Sequence, residues 1–143
     1  MKRPRSLLQS YLTTEYQVHG STPKQRFTLR IGVRQPRLTE LQSRTRTYHS
    51  VFITAWNPHS ALRPRALNEA TQRRLVCDLR RLHCELIRGE GVAANGAWRE
   101  PSLLALGLKR DAALRLARRY GQNAVVVSDK RGVPQLVTLR ALD

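Results

Sequence analysis

Acidic side chains are scarce in this sequence: ten Asp and Glu stand against 26 Lys and Arg in 143 residues, a formal charge of +16. A surplus of that size self-repels in a compact chain and attracts polyanions. Lysine is nearly absent too, so arginine supplies the charge, and its planar fork suits phosphate better than a point charge does. A GC-rich coding sequence accounts for arginine in place of lysine, but not for the missing acids. The surplus is densest in residues 1–48, which carry ten positive and two negative charges. Only two cysteines occur, Cys77 and Cys84. In a helical pattern, seven residues at 1.5 Å rise put them ~10 Å apart. That is too far for a disulfide and the wrong spacing for a zinc site, leaving free thiols in a reducing compartment. No apolar run approaches the roughly 20 residues that span a bilayer. Met1-Lys2-Arg3-Pro4-Arg5 is like a signal n-region, but Leu7 to Leu12 is too short and polar to follow it as an h-region. The expectation is a soluble cytoplasmic protein. His19, His49, His59 and His83 have no ligand spacing, and there is no P-loop, dinucleotide fingerprint or serine elbow. No metal or cofactor is expected.

At this length the chain should form one domain over residues 1–143, with residues 1–5 a disordered basic tail. Ser6 suits the N-cap of a helix over Leu7–Thr14. Glu15–Val18 and Arg26–Ile31 should pair as a hairpin around Gly20-Ser21-Thr22-Pro23, since Phe27, Leu29 and Ile31 alternate with polar residues. Pro36–Ser43 suits a short helix opened by proline. Val51–Trp56, Leu103–Leu106 and Ala124–Val127 are apolar on both faces, as central strands are. Pro134–Leu139 should pair with the last of these. A long helix is expected over Pro64–Ile87, with Leu75, Leu79, Leu82 and Leu86 as its apolar stripe. Its row Arg74, Asp78, Arg81, Glu85 and Arg88 should be a solvated face. A second helix is expected over Arg110–Tyr120, ended by Gly121 in the left-handed region. Gly89–Pro101 should be a thirteen-residue loop. The fold class that follows is α+β with α/β-like features: a mixed β-sheet of five to six strands with helices on both faces.

Three polar motifs abut the apolar runs: Thr54-Ala55-Trp56-Asn57-Pro58, Trp98-Arg99-Glu100-Pro101-Ser102 and Gly121-Gln122-Asn123-Ala124. Polar groups at the edge of a dry core need hydrogen bonds, so these motifs either brace loops or form a site. Asn57 precedes proline and suits an Asx-turn onto its own backbone two residues on, or a ligand-binding amide. Asn68 shares a helical meridian with Leu75 and Leu82, so it points to the core. It either bonds Asn57 or the loop around Pro58, or looks into a pocket. Glu100 either pairs with an arginine or, partly desolvated, serves as general base or ligand acceptor. Trp56 and Trp98 are core residues or stacking platforms. Asn123 suits a turn, while Gln122 is the better site candidate. Thr54 and Ser102 complete the polar set. If Val51–Trp56 and Leu103–Leu106 are antiparallel, all three motifs meet at one sheet edge; if parallel, Asn57 and Glu100 sit at opposite edges.

The runs Phe27–Gly32, Phe52–Pro58, Trp98–Gly107 and Tyr120–Ala124, in that order and with Glu69 following Asn68, resemble the bacterial domain of unknown function family 3293. The resemblance extends from Tyr11 to Leu139. It implies a small single-domain bacterial protein and carries no activity with it. The arginine excess is a departure from the family's usual composition.

Two functions compete. Charge favours a nucleic-acid-associated protein, binding RNA more than DNA through phosphate contacts. Its candidate residues are Arg3, Arg5, Arg26, Arg30, Arg34, Arg37, Arg44 and Arg46. No helix-turn-helix or RRM signature accompanies them. The alternative is a small-molecule-binding domain or enzyme. Its pocket would draw on Thr54, Trp56, Asn57, Asn68, Trp98, Ser102, Gln122 and Asn123, with Glu100 as the candidate acid/base. A third reading is a structural module in which these groups only brace loops. Neither a membrane partner nor a particular oligomeric state is indicated.

Overall fold

Ser6 caps α1 (Leu7–Thr13) in a capping box: Gln9 N donates to Ser6 Oγ at 3.1 Å, and Ser6 N donates to Gln9 Oε1 at 3.3 Å. The structure, a computed structural model, describes residues 6–142. The basic tail expected at residues 1–5, with Arg3 and Arg5, lies outside the described residues. β1 (Glu15–His19) and β2 (Arg26–Leu29) form the expected hairpin, with Tyr16 opposite Leu29 and Val18 opposite Phe27. α2 (Pro36–Arg44) opens on proline, and Gln35 caps it by accepting from Arg37 N at 3.2 Å. β3 (Ser50–Ile53) is buried on both faces.

The region after β3 differs from expectation. α3 runs Arg65–Arg81 and stops there, with Leu82 at its C-cap. Glu85–Val92 is a strand, β4, followed by a short turn and β5 (Arg99–Leu106). Leu82 is therefore exposed and Leu86 belongs to a strand. The expected thirteen-residue loop is a β-hairpin, with Gly89 opposite Ser102 and Gly91 opposite Glu100. The glycines hide the strand. At Gly89 a Cβ would meet the Gln17 carbonyl and lie 2.9 Å from Phe52 Cε2. A strand position that normally displays an apolar side chain is thus occupied by hydrogen so that a neighbouring ring can pack over it. α4 (Arg110–Arg119), β6 (Ala124–Ser128) and β7 (Gln135–Thr138) complete the chain. Gly121 ends α4 at φ +64°.

The strand order is β2-β1-β4-β5-β3-β6-β7, seven strands with every pairing antiparallel, in place of the mixed sheet of five to six expected. The unrecognised β4 explains the change. The helical crossover through α3 does join two strands that run the same way, β3 and β4, but β5 turns back and inserts between them. Side chains alternate across β3. Val51 and Ile53 pack with Leu75 and Leu79 of α3 and with Ala113, Leu116 and Ala117 of α4. Phe52 packs on the opposite face with Leu38 and Leu41 of α2 and with Tyr16. Helices therefore cover both faces of a single α+β sheet. Among the described residues, no helix is long and apolar enough to cross a membrane.

Candidate functional site

β3 runs antiparallel to both β5 and β6, with Ile53 opposite Leu103 and Phe52 opposite Val126. The end of β3 therefore lies beside the starts of both neighbours, and the three polar motifs converge on one edge. Asn57 Nδ2 lies 3.5 Å from Glu100 Oε1, and Gln122 Nε2 donates to Trp56 O at 3.1 Å.

The turn after β3 is strained. Asn57, His59 and Ser60 have φ of 44°, 57° and 59°, three left-handed non-glycine residues among four. Such residues cost of order 1 kcal/mol or more each and persist only where their surroundings fix them. Here the fixing is explicit. Asn57 N donates to Asn68 Oδ1 at 2.9 Å, and Asn68 Nδ2 donates back to Asn57 Oδ1 at 2.8 Å. Asn57 Oδ1 also accepts from Arg63 N at 3.2 Å, six residues on rather than the two an Asx-turn requires. His59 N donates to Gly121 O at 2.7 Å, and Asn123 Nδ2 donates to Ser60 Oγ at 2.9 Å. Asn68 and Asn123 are each 1% exposed and both take part in the bracing. Asn123 Oδ1 is buried without a partner among the described residues.

A second latch joins β3, α3 and β5. Gln72 Oε1 accepts from Ala55 N at 2.8 Å, and its Nε2 donates to Pro101 O at 3.1 Å. Thr54 Oγ1 donates to the same carbonyl at 2.7 Å and accepts from Trp56 N at 3.0 Å. Gln72 escaped the sequence reading, yet Asn68, Gln72, Leu75 and Leu79 repeat at helical spacing, so the two amides extend the apolar stripe.

With the loops fixed, Glu100 faces a cavity of about 40 Å³. Its walls are Tyr11 of α1, Tyr16 of β1, Phe52 and Thr54 from β3 and its end, Trp98 of the hairpin turn, Ser102 and Gln122. Tyr11 and Tyr16 were not anticipated from sequence; Tyr16 donates to Tyr11 O at 2.6 Å and stacks edge-on against Phe52 at 5.4 Å. On its other side Glu100 borders a wider cleft of about 450 Å³, shared with Trp56, Asn57, Asn68 and Trp98. Trp98, 37% exposed, stands between the two spaces as a partly open ring, not a core residue. No arginine pairs with Glu100 among the described residues: Arg99 turns to Glu90 at 3.6 Å and Arg65 to Glu69 at 2.7 Å. Burial pushes the Glu100 carboxyl up to about 7, opposed by the weak Asn57 contact. A carboxyl that exchanges its proton near neutrality, beside free space, is able to bind a polar ligand or transfer a proton.

Some of the arginines expected to grip a polyanion have partners within the protein. Arg30 pairs with Glu15 at 2.7 Å, and Arg26 and Arg37 donate to the Gly20 and Arg26 carbonyls. Arg34, Arg44 and Arg46 are exposed. A further group of arginines lines a cleft. Between α3 and the end of α4 is an open cleft of about 1220 Å³, with Arg63, Arg73, Arg74, Arg81, Arg118 and Arg119 on its walls. Asp78 lies in it, bonded to the Tyr120 hydroxyl and to Arg119 at 3.3 Å. The α3 charged row is thus the wall of a cleft rather than a plain solvated face, and it ends before Glu85 and Arg88. Burial and the Asp78 carboxylate push Tyr120 up to about 12. Among the described residues, no three His, Cys, Asp or Glu side chains are grouped to hold a metal ion.

No curated protein and no solved structure matches the chain. Residues 53–125, just over half of it, match the family model described as Protein of unknown function (DUF3293). That span holds the strained turn, the Asn68 and Gln72 latches, Glu100 and all three motifs. The match thus covers the motifs of the strand-edge site but not Tyr11, Tyr16 and Phe52 of its cavity, and the chain belongs to the DUF3293 family.

Proposed function

We propose that this protein is a small-molecule-binding domain whose site is the cavity and cleft on either side of Glu100. The observation that carries the reading is the convergence of Asn57, Glu100 and Gln122 from three separate strand ends around a carboxyl with no ion-pair partner among the described residues. A turn with three left-handed residues, locked by the Asn57–Asn68 pair, supports it as well, since strain is retained where a geometry is needed. In this reading Glu100 is the ligand acceptor or acid/base, Gln122 and Asn57 orient the ligand, and Trp98 packs on it. A fragment screen by ¹H–¹⁵N correlation spectra tests this. Binding fragments should shift the Trp98 indole and the Asn57 and Gln122 side-chain amides; hits confined to other surfaces would refute it.

Nucleic-acid binding is the second reading, favoured by the arginine cleft between α3 and α4. Arg73, Arg74, Arg81 and Arg118 carry neither an ion pair nor a hydrogen bond there among the described residues. If a single RNA strand lies in this cleft, the four free guanidinium groups should give a salt slope of about −2.8, from about −0.7 per phosphate. Replacing Arg74 and Arg118 by Gln should remove about half of that slope, whereas the same replacements at Arg44 and Arg110 should leave it unchanged. Equal losses in the two variants would mean that net charge alone, not the cleft, holds RNA.

A further inference from the structure

Glu100 is the exception among the half-buried acids. Glu15, Glu69, Asp78, Glu90 and Asp129 each have an arginine within 4 Å. Glu100 has none among the described residues, in a chain with a formal charge of +16. The arginines nearest its cleft turn elsewhere: Arg99 to Glu90, Arg65 to Glu69, and Arg63 Nη2 to Thr71 Oγ1 at 2.9 Å, with Arg63 Nε buried and unbonded among the described residues. A cation is the group this carboxylate lacks.

The rest of the cavity has the same preference. Its side-chain donors are used, apart from the Trp98 indole N–H. Thr54 Oγ1 donates to Pro101 O, Ser102 Oγ to Glu100 O at 3.0 Å, Tyr16 Oη to Tyr11 O, and Gln122 Nε2 to Trp56 O. What remains open is acceptors, the Glu100 carboxylate and Gln122 Oε1. The walls include the rings of Tyr11, Tyr16, Phe52 and Trp98, and ring faces attract cations. A carboxylate or phosphate ligand would meet these two acceptors, with the Trp98 indole N–H the one side-chain donor of the wall not bonded within the described residues. The volume, about 40 Å³, suits a charged head and its first carbons, and the adjoining cleft takes the remainder.

Resting on the reading of this pocket as a ligand site, we propose that its ligand carries an organic ammonium group, seated in the aromatic-walled cavity against the Glu100 carboxylate. The titratable and charged groups around that carboxylate are Tyr11 of α1, Tyr16 of β1, Glu90 of β4, Arg99 of β5, Arg63 of the loop before α3 and Arg65 of α3. None pairs with it. Since burial holds Glu100 near 7, ammonium binding favours the ionised form and expels a proton below that pH.

Butylammonium, butan-1-ol and butanoate, titrated into the full chain and followed at the Trp98 indole and the Gln122 amide, separate the possibilities. Butylammonium should bind at least tenfold more tightly than butan-1-ol, and butanoate weakest. Its affinity should rise about tenfold from pH 6 to pH 8 as the carboxyl ionises around 7. Glu100→Gln should remove the preference over butan-1-ol and flatten the pH dependence, with folding checked by circular dichroism. Butan-1-ol or butanoate binding as tightly as butylammonium would overturn the ammonium assignment and leave the pocket reading standing. No shift at Trp98 or Gln122 with any of the three would overturn both.

Discussion

Replacing Glu100 by Gln should stabilise the protein at pH 8 and leave its stability nearly unchanged at pH 4. In the folded chain burial raises the carboxyl from its ordinary 4.5 to about 7. Below 4.5 the group is neutral in both folded and unfolded chains and imposes no penalty. Between 4.5 and 7 the unfolded chain ionises first, so folding stability falls as pH rises, and above 7 the loss is complete. At 1.36 kcal/mol per pH unit the full loss is about 3 kcal/mol. Glutamine keeps the shape without the charge. With a urea dependence of about 2 kcal/mol per molar, the E100Q midpoint should lie about 1.5 M above that of the wild type at pH 8. Urea titrations of both proteins at half-unit steps from pH 4 to pH 8.5 measure this directly. A difference that is constant with pH, or an E100Q protein less stable than the wild type at pH 8, would refute the reasoning. The carboxylate would then be neutralised by a partner or by solvent.

Three further substitutions probe the scaffold. Asn68→Ala removes both bonds of the Asn57–Asn68 pair and leaves the Asn57 N–H without a partner, so it should cost about 2–4 kcal/mol by thermal or chemical unfolding. Gln72→Ala strands the Ala55 N–H, whose partner is Gln72 Oε1, and should cost about 1–3 kcal/mol in the same assay. Gly89→Ala forces a methyl group against the Gln17 carbonyl and the Phe52 ring; a cost of about 1–3 kcal/mol is expected, with altered near-UV dichroism from the displaced rings.

The elements with strong local signals were legible in the sequence. The Ser6 cap, the β1–β2 hairpin, the proline-led α2 and the glycine-ended α4 all follow from side-chain chemistry within a few residues. β4 was not legible, because Gly89 and Gly91 stand where its apolar side chains would be and Leu82 and Leu86 continue a helical period past the end of α3. Missing that strand also obscured the sheet's antiparallel order, which is what brings the motifs together. At the site, the polar residues beside apolar runs marked the right places, and Asn68 showed its inward direction by its spacing. Tyr11 and Tyr16 were invisible because they reach the cavity from α1 and β1, elements whose position over the sheet no local pattern encodes. The arginine cleft was missed for the same reason: Arg63, Arg74 and Arg118 are scattered in sequence and become neighbours only when α4 packs beside α3.

The most direct measurement is a ¹³C titration of the Glu100 side-chain carboxyl in glutamate-labelled protein, read together with the Trp98 indole and Gln122 amide resonances. An unpaired carboxyl at the meeting point of the three motifs should titrate near pH 7, with the other two resonances following the same midpoint because they line one cavity. A midpoint near the ordinary 4.5, or Trp98 and Gln122 signals indifferent to it, would contradict the account.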